Sequence, residues 1–299
     1  MGLVNKRFAA RRLPEDNPIA FRHEAGYQAE LLMPGLRIRL WPIFSVQKFP
    51  WVQVPAGEVG VVIAQVGAEL PIGAKSGVYQ PAFGNFSNLR QFIELGGQKG
   101  VQRPVLPPGT LMPVHPVAFL VLTPQQVYGL PVAPDLVSAA KATGGTLTPV
   151  SLGLSPEQLR VMVIAPQGPV DTVGIVTVLE GEPLHSGDIA SRLGGYEDIA
   201  AMEASDDDQM QTDAKIIEVL LGSKNTLHNN YQDFQAFLDH GGKIGLQHDT
   251  LLYGAYLLNP FLVRVDLVPM LVVNQGEVAV IKGFVGRPTA DTSGAPRTP

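Results

Sequence analysis

The sequence predicts a β-rich α+β fold, built from tandem units of mixed and antiparallel strands with short helices. Three observations predict it. The 32 Gly and 26 Pro among 299 residues require frequent turns and leave little room for long helices. Hydrophobic residues are 45% and charged ones 16%, a balance that builds a sizeable core and excludes a disordered chain. The chain also repeats itself. Leu32-Met33-Pro34-Gly35 leads to Pro42, Leu106-Pro107-Pro108-Gly109 to Pro116, and Leu251-Leu252-Tyr253-Gly254 to Pro260. Recurrent turn-and-strand patterns mark a stack of similar units.

The second and third copies align closely. Val59-Gly60 matches Val173-Gly174, and Gly67, Leu70 and Gly73 match Gly181, Leu184 and Gly187, all 114 residues apart. Asn85, Phe92, Gly96-Gly97 and Gln102 then match Asn230, Phe237, Gly241-Gly242 and Gln247, 145 residues apart. The rise from 114 to 145 gives the third copy an insertion of 31 residues, within 188–229. Gly276-Glu277-Val278-Ala279-Val280-Ile281 repeats Gly57-Glu58-Val59-Gly60-Val61-Val62. The resulting division is a first unit at 1–57, a second at 58–123, a connector at 124–165 and a third unit at 166–276. The start of a further unit at 277–286 and a polar tail at 287–299 complete it. Met1-Gly2-Leu3-Val4 enters the same strand pattern partway, which predicts sequence upstream of it.

Each element has a local reason. Residues 59–66 are a β-branched run entered through Pro55-Ala56-Gly57 and left at Gly67, hence a strand. A helix is predicted over 87–95, with Ser87 as N-cap and Gly96 just past its end. Leu89, Phe92 and Ile93 form its apolar stripe, which Phe234, Phe237 and Leu238 reproduce. A strand follows Gly100-Val101-Gln102, then a Pro-Pro-Gly turn and a strand over 117–122. Residues 124–153, rich in Pro, Gly, Ala and Thr, predict a long loop. Ser155-Pro156-Glu157-Gln158 is a capping-box pattern that predicts a short helix. In the insertion, Met210, Ala214, Ile217 and Leu221 form a helical stripe after Asp206-Asp207-Asp208, stopped by Gly222.

Charge and composition narrow the chemistry. The net charge is -5, but residues 1–58 hold 8 Lys/Arg against 5 Asp/Glu while residues 166–257 hold 4 against 15. Such asymmetry fits an anionic surface near one end or contacts between unlike faces of subunits, and it also arises from scattered solvated charge. The absence of Cys removes disulfides, thiol nucleophiles and Cys-ligated metals. Residues 104–134 carry no charge but hold eight prolines, so they predict buried strand, not a membrane span, which needs about 20 apolar residues. His23, His115, His185, His228, His240 and His248 form no metal-binding motif. His228, His240 and His248 align with Phe83, Leu95 and Arg103 in the second copy, so the repeat does not require them. No phosphate loop or nucleophile elbow occurs, and no basic patch is interleaved with aromatics. The reading is of a protein that is not an enzyme, with no cofactor, no metal site and no nucleic-acid partner.

The words Pro55-Ala56-Gly57-Glu58-Val59-Gly60-Val61-Val62, the following Val66-Gly67, and Leu32-Met33-Pro34-Gly35-Leu36 with Pro42 resemble the stomatin/prohibitin/flotillin (SPFH, band-7) domain. The stretch 96–104 with Pro108-Gly109-Thr110 is similar to its bacterial flotillin-like branch. The resemblance covers roughly residues 2–286. It implies tandem SPFH-like units in a membrane-associated scaffold that forms homo-oligomers and organises lipid microdomains or membrane-protein complexes, with lipids and an unidentified membrane-protein client as partners. One candidate lipid contact is legible in the first copy. Arg37, Arg39, Trp41, Phe44, Lys48 and Trp51 make an aromatic, wholly basic stretch, and an anionic bilayer attracts each nearby basic residue by about 1 kcal/mol. Trp41, Phe44 and Trp51 read equally as core residues of a strand pair. A second functional reading is a soluble module that recognises a protein partner through the Gly-Gly loops or the acidic insertion.

Overall fold

The computed structural model describes residues 1–11, 13, 18–21, 24–36, 40, 42–166, 168, 170–184, 186–193 and 222–282. The fold is α+β and β-rich. The first sheet holds β1 (Gly2–Lys6), β2 (Ile19–Ala20), β3 (Gly26–Gln28) and β4 (Phe44–Lys48). After β5 (Val52–Gln53) come β6 (Gly60–Ala64), β7 (Ser76–Gly77), helix α1 (Leu89–Glu94), β8 (Gly100–Leu106), β9 (Leu111–Met112), β10 (Phe119–Leu122) and β11 (Val127–Tyr128). Helix α2 (Pro134–Ala142) and β12 (Met162–Ile164) lead to β13 (Thr172–Val178), β14 (Ala190–Ser191), α3 (Phe234–Asp239), β15 (Gly245–Gln247), β16 (Gly254–Tyr256) and β17 (Val263–Pro269).

Three sheets share one strand order. It is β2-β3-β1-β4 in the first, β7-β8-β6-β10 with β11 added in the second, and β14-β15-β13-β17 in the third. In each, the opening strand is central and antiparallel to both long neighbours, while a short strand runs parallel on one edge. One glycine fixes the packing of each opening strand. A β-carbon on Gly60 would lie 2.9 Å from Val54 Cγ2, 3.2 Å from Leu106 Cβ and 3.4 Å from Val121 Cγ1. On Gly174 it would lie 2.6 Å from Ile164 Cδ1, 2.7 Å from Val265 Cγ1 and 3.3 Å from Leu251 Cβ. Gly2 occupies the same place, 3.1 Å from Val46 Cγ1 and 3.3 Å from Leu32 Cβ. The leucines that open the repeated turns thus close onto these glycines, and only a residue without a side chain fits between.

Val54 and Ile164 come from lead-in strands. β5 pairs antiparallel with β9, and β12 with β16, so each segment entering the second and third sheets folds over the end of the sheet it enters.

The helix α1 is shorter than 87–95, and its N-cap is Asn88, not Ser87. Asn88 accepts the Gln91 N–H at 3.2 Å, while the Ser87 hydroxyl donates back to Gly84 O at 2.6 Å. In α3 the equivalent Asp233 accepts the Ala236 N–H at 3.0 Å. Both helices end in the same Schellman turn. Gly96 N bonds Ile93 O at 3.2 Å and Gly97 N bonds Phe92 O at 2.7 Å, matched by Gly241 N to Leu238 O and Gly242 N to Phe237 O, both 3.0 Å. Gly96 and Gly241 hold φ of +76° and +75°, and a β-carbon on Gly97 or Gly242 would strike the Phe92 or Phe237 ring. The Gly-Gly pairs are therefore consumed by packing.

Just before each helix the backbone turns left-handed for three residues in succession. Gly84, Asn85 and Phe86 have φ of +54°, +51° and +70°, and Asn229, Asn230 and Tyr231 have +47°, +55° and +62°. Left-handed backbone costs a residue with a β-carbon about 1–2 kcal/mol. Burial offsets it: Phe86 joins Phe83, Phe92 and Phe119 in an edge-on and tilted aromatic core, and Tyr231 joins His228 and Phe237.

The connector departs from the long loop that its composition predicts over 124–153. It contains β11 and the nine-residue α2, whose Pro134 sits in the first turn, where no amide hydrogen is needed. Together with Leu147, Leu154 and Leu159, α2 covers the outer face of the second sheet, formed by Val61, Leu120 and Leu122. The capping-box segment forms a 3-10 turn over Pro156–Leu159, with Ser155 N donating to Gln158 Oε1 at 2.9 Å. On the third sheet the positions of Leu120 and Leu122 are held by Arg264 and Asp266, an exposed ion pair at 3.0 Å. That face is solvated where its counterpart is covered. The helical stripe predicted in the insertion and the tail at 287–299 lie outside the described residues.

Candidate functional site

The polar groups that the fold buries gather at junctions between sheets. Between the second and third, Glu180 is buried and accepts from Lys75 N at 3.0 Å, Ser76 N at 3.3 Å and Ser76 Oγ at 2.5 Å. Lys75 Nζ donates to Leu179 O at 2.7 Å. Arg103 Nε donates to Ser76 Oγ at 3.1 Å, and Arg103 Nη1 donates to Gln235 Oε1. Burial lowers the Arg103 pKa, opposed by the Glu180 and Asp239 carboxylates. Removing either partner leaves the other charge buried with fewer partners, which is the costly case for such pairs.

A second junction motif recurs. Gln28, Gln102 and Gln247 end or punctuate equivalent strands, and each folds its side chain back on its own backbone. Gln28 Nε2 donates to Glu24 O and Gly26 O, both at 2.9 Å, Gln102 Nε2 to Gln98 O and Gly100 O at 2.8 and 3.0 Å, and Gln247 Nε2 to Lys243 O and Gly245 O at 2.8 and 2.9 Å. At Gln28 and Gln102 the backbone carbonyl receives a donor from a later segment of the chain. Asn259 Nδ2 reaches Gln102 O at 2.9 Å, and His115 Nε2 lies 3.1 Å from Gln28 O. His115 Nδ1 accepts the Val117 and Ala118 N–H groups at 3.3 and 3.1 Å. The proton is therefore on Nε2, and the neutral ring is the form that fits. Burial pushes the His115 pKa down to about 4.

Sequence comparison alone missed this pair because a histidine and an asparagine look unrelated. The available signal was position: each directly precedes the proline that ends the repeated turn, as His115-Pro116 and Asn259-Pro260.

His228 also serves packing. Its Nδ1 accepts the Tyr231 N–H at 2.8 Å, its ring lies 4.3 Å from Tyr231, and burial lowers its pKa to about 4 against an opposing Asp249. Burial raises the Tyr231 pKa, whose hydroxyl donates to Asp249 O at 2.9 Å. His240 Nδ1 lies 2.6 Å from Ala236 O in its own helix, and His248 is 3.8 Å from Asp249. Among the described residues no group of three His, Asp or Glu side chains converges on a point where a metal could sit.

Asp249 closes the base of the insertion. Its Oδ2 lies 3.4 Å from Arg192 Nε and accepts Lys224 N at 3.2 Å, while Arg192 Nη2 donates to Gly222 O. Asn225 Nδ2 adds a bond to Thr250 O at 2.8 Å.

Of the residues singled out as lipid-facing, Arg37, Arg39 and Trp41 lie outside the described residues. Phe44 and Lys48 occupy opposite ends of β4, and Trp51 precedes β5; Phe44 and Trp51 are half-buried and Lys48 is exposed. Alternation along the strand puts Phe44, Val46 and Lys48 on one face. Val46 corresponds to Val121, which is fully buried in the second sheet. On the first sheet Val46 is 44% exposed where its counterpart is buried, while Val4, paired opposite it on the same face, is 3% exposed.

Exposed apolar side chains recur along the chain, among them Ile72, Leu111, Val150, Val163 and Leu271. Among the described residues no helix is long and apolar enough to cross a membrane. Compared with known proteins, the chain matches no family model, no curated protein and no solved structure.

Proposed function

We propose that the protein is a non-enzymatic, membrane-associated scaffold of tandem SPFH-like units that homo-oligomerises and organises membrane microdomains or membrane-protein complexes. The observation that carries the reading is the use made of buried ionic and polar groups: Glu180, Ser76, Arg103, His115 and Asn259 join one sheet to the next. A polar network used for joints supports a structural role, since a reacting centre needs polar groups aimed at an open cleft. The exposed Lys48, on the same face of β4 as the half-buried Phe44, supports peripheral lipid contact, an aromatic ring and a cation being what an anionic interface attracts.

Liposome flotation tests the lipid half. The chain floats with vesicles containing roughly a third anionic lipid, weakly or not at all with neutral ones, and Phe44→Ser combined with Lys48→Glu lowers the bound fraction several-fold. Equal recovery with both lipids, or no loss in the double variant, would falsify the assignment of this face.

A further inference from the structure

The outer edge of β10 in the second sheet is filled, and the matching edge of β17 in the third is not. β10 pairs antiparallel with β11 through Val121↔Tyr128 and Leu122↔Val127. By their shared register with the opening strands, Val121 and Leu122 hold the places of Val265 and Asp266. β17 is the longer strand, seven residues against four. Among the described residues it nonetheless has β13 on one side and no strand on the other. An exposed edge of this length is a template for another strand.

The ladder fixes which groups face outward. Leu179 N donates to Leu262 O and Met270 N to Asp171 O, both at 2.8 Å, at the two ends of an unbroken register with β13. Alternation then turns the amides and carbonyls of Arg264, Asp266 and Val268 toward β13. It turns the Val265 and Leu267 amides outward, with the Val263, Val265 and Leu267 carbonyls. Arg264 and Asp266 are exposed and lie 3.0 Å apart on one face of the strand. Leu267 and Val268 beside them are 41% and 42% exposed.

We propose that β17 pairs antiparallel with β17 of a second copy of this chain, about a two-fold axis at Val265, so that the two third sheets become one. The occupant is a second copy because the charges make this strand complementary to itself in one register. With Val265 opposite the partner's Val265, Arg264 faces the partner's Asp266 on one side of the axis, and Asp266 faces the partner's Arg264 on the other. The Val265 N–H meets the partner's Val265 carbonyl, and the Leu267 N–H meets the partner's Val263 carbonyl, each reciprocally. Moving the axis to Asp266 sets two carboxylates opposite each other, which is unfavourable. Moving it to Leu267 sets Arg264 and Asp266 opposite the partner's Met270 and Val268, with no opposing charge. The contact is isologous and closes at two copies. It rests on the self-assembly half of the reading above and needs no lipid.

Light scattering of the full chain without lipid tests it, combined with charge reversal at the two exposed positions. The mass rises with concentration from the 32.0 kDa of one copy to that of two copies and no further. Arg264→Asp and Asp266→Arg, each keeping the wild-type circular dichroism, pair about tenfold more weakly, because like charges then face each other on both sides of the axis. An equimolar mixture of the two variants pairs again, since every acidic position meets a basic one. The chain carrying both substitutions pairs with itself for the same reason. Pairing that is undiminished in both single variants, or a mixture that pairs no better than either alone, overturns this contact and leaves self-assembly standing. A wild-type chain that stays a single copy at every concentration overturns both.

Discussion

At the scale of single residues, buried histidines make stability depend on pH in a direction the structure fixes. His115 and His228 are neutral in the folded chain with pKa near 4, against about 6.5 when unfolded. As pH falls below about 6.5 the unfolded chain takes up protons first, so stability is full above that value, declines towards pH 4 and levels off below it. Each site carries up to about 3 kcal/mol across that window. Urea denaturation at pH 7 and pH 4.5 measures the difference. His228→Phe reduces it, since Phe83 already fills that place in the second unit; an unchanged pH slope in that variant contradicts the role given to His228. Glu180 offers a second test. Glu180→Ala leaves the Ser76 hydroxyl and the Lys75 and Ser76 amides short of an acceptor and removes a carboxylate that opposes the burial of Arg103, and a loss of about 3 kcal/mol is expected in equilibrium unfolding.

Among elements, the helix ends carry the sharpest contrast. A β-carbon on Gly97 would lie 2.6 Å from Phe92 O and from its ring, whereas one on Gly109, at φ +80°, meets nothing within 4 Å. Gly97→Ala should cost about 2–4 kcal/mol by forcing the Phe92 core apart, and Gly109→Ala only about 1 kcal/mol of backbone strain. Thermal unfolding of the two variants side by side checks the ordering; equal losses would mean the Schellman turn yields without disturbing the core. Much at this scale was legible in advance. The apolar stripe of Leu89 and Phe92, the glycines past the helix end and the 117–122 strand all follow local rules. The N-cap is Asn88, because the Ser87 hydroxyl is turned back to Gly84 O and Asn88 Oδ1 is left to accept the Gln91 N–H. Helix α2 hid in a Pro- and Gly-rich connector because Pro134 starts a helix as readily as it ends one. Its cause is tertiary: Leu120 and Leu122 need a cover.

For the whole molecule, recurrent turn-and-strand patterns could be anticipated from the periodic glycines and leucines, while the common strand order appears only on folding. The joints could not. Gln102 and Gln247 stood out as matched residues, but only folding shows that Gln28 shares their place, and that His115 and Asn259 answer the Gln28 and Gln102 carbonyls. The buried Glu180–Ser76–Arg103 network draws on positions far apart in sequence with no shared motif. The candidate lipid contact was legible as a run of basic and aromatic residues, while the exposure of Val46 and Lys48 on β4 comes only with the sheet.

The clamp at Asp249 has a consequence for how this chain can change. Arg192 and Lys224 meet on one carboxylate, so whatever lies between them enters and leaves the third sheet at a single point. Doubling the length of a segment closed in this way adds only about 0.6 kcal/mol of closure entropy. Sequence inserted there is read by the rest of the fold as a knot on one thread, and the sheets beyond it keep their positions. The place is a point of exchange: a segment of different length or sequence fits there without rebuilding the sheets on either side.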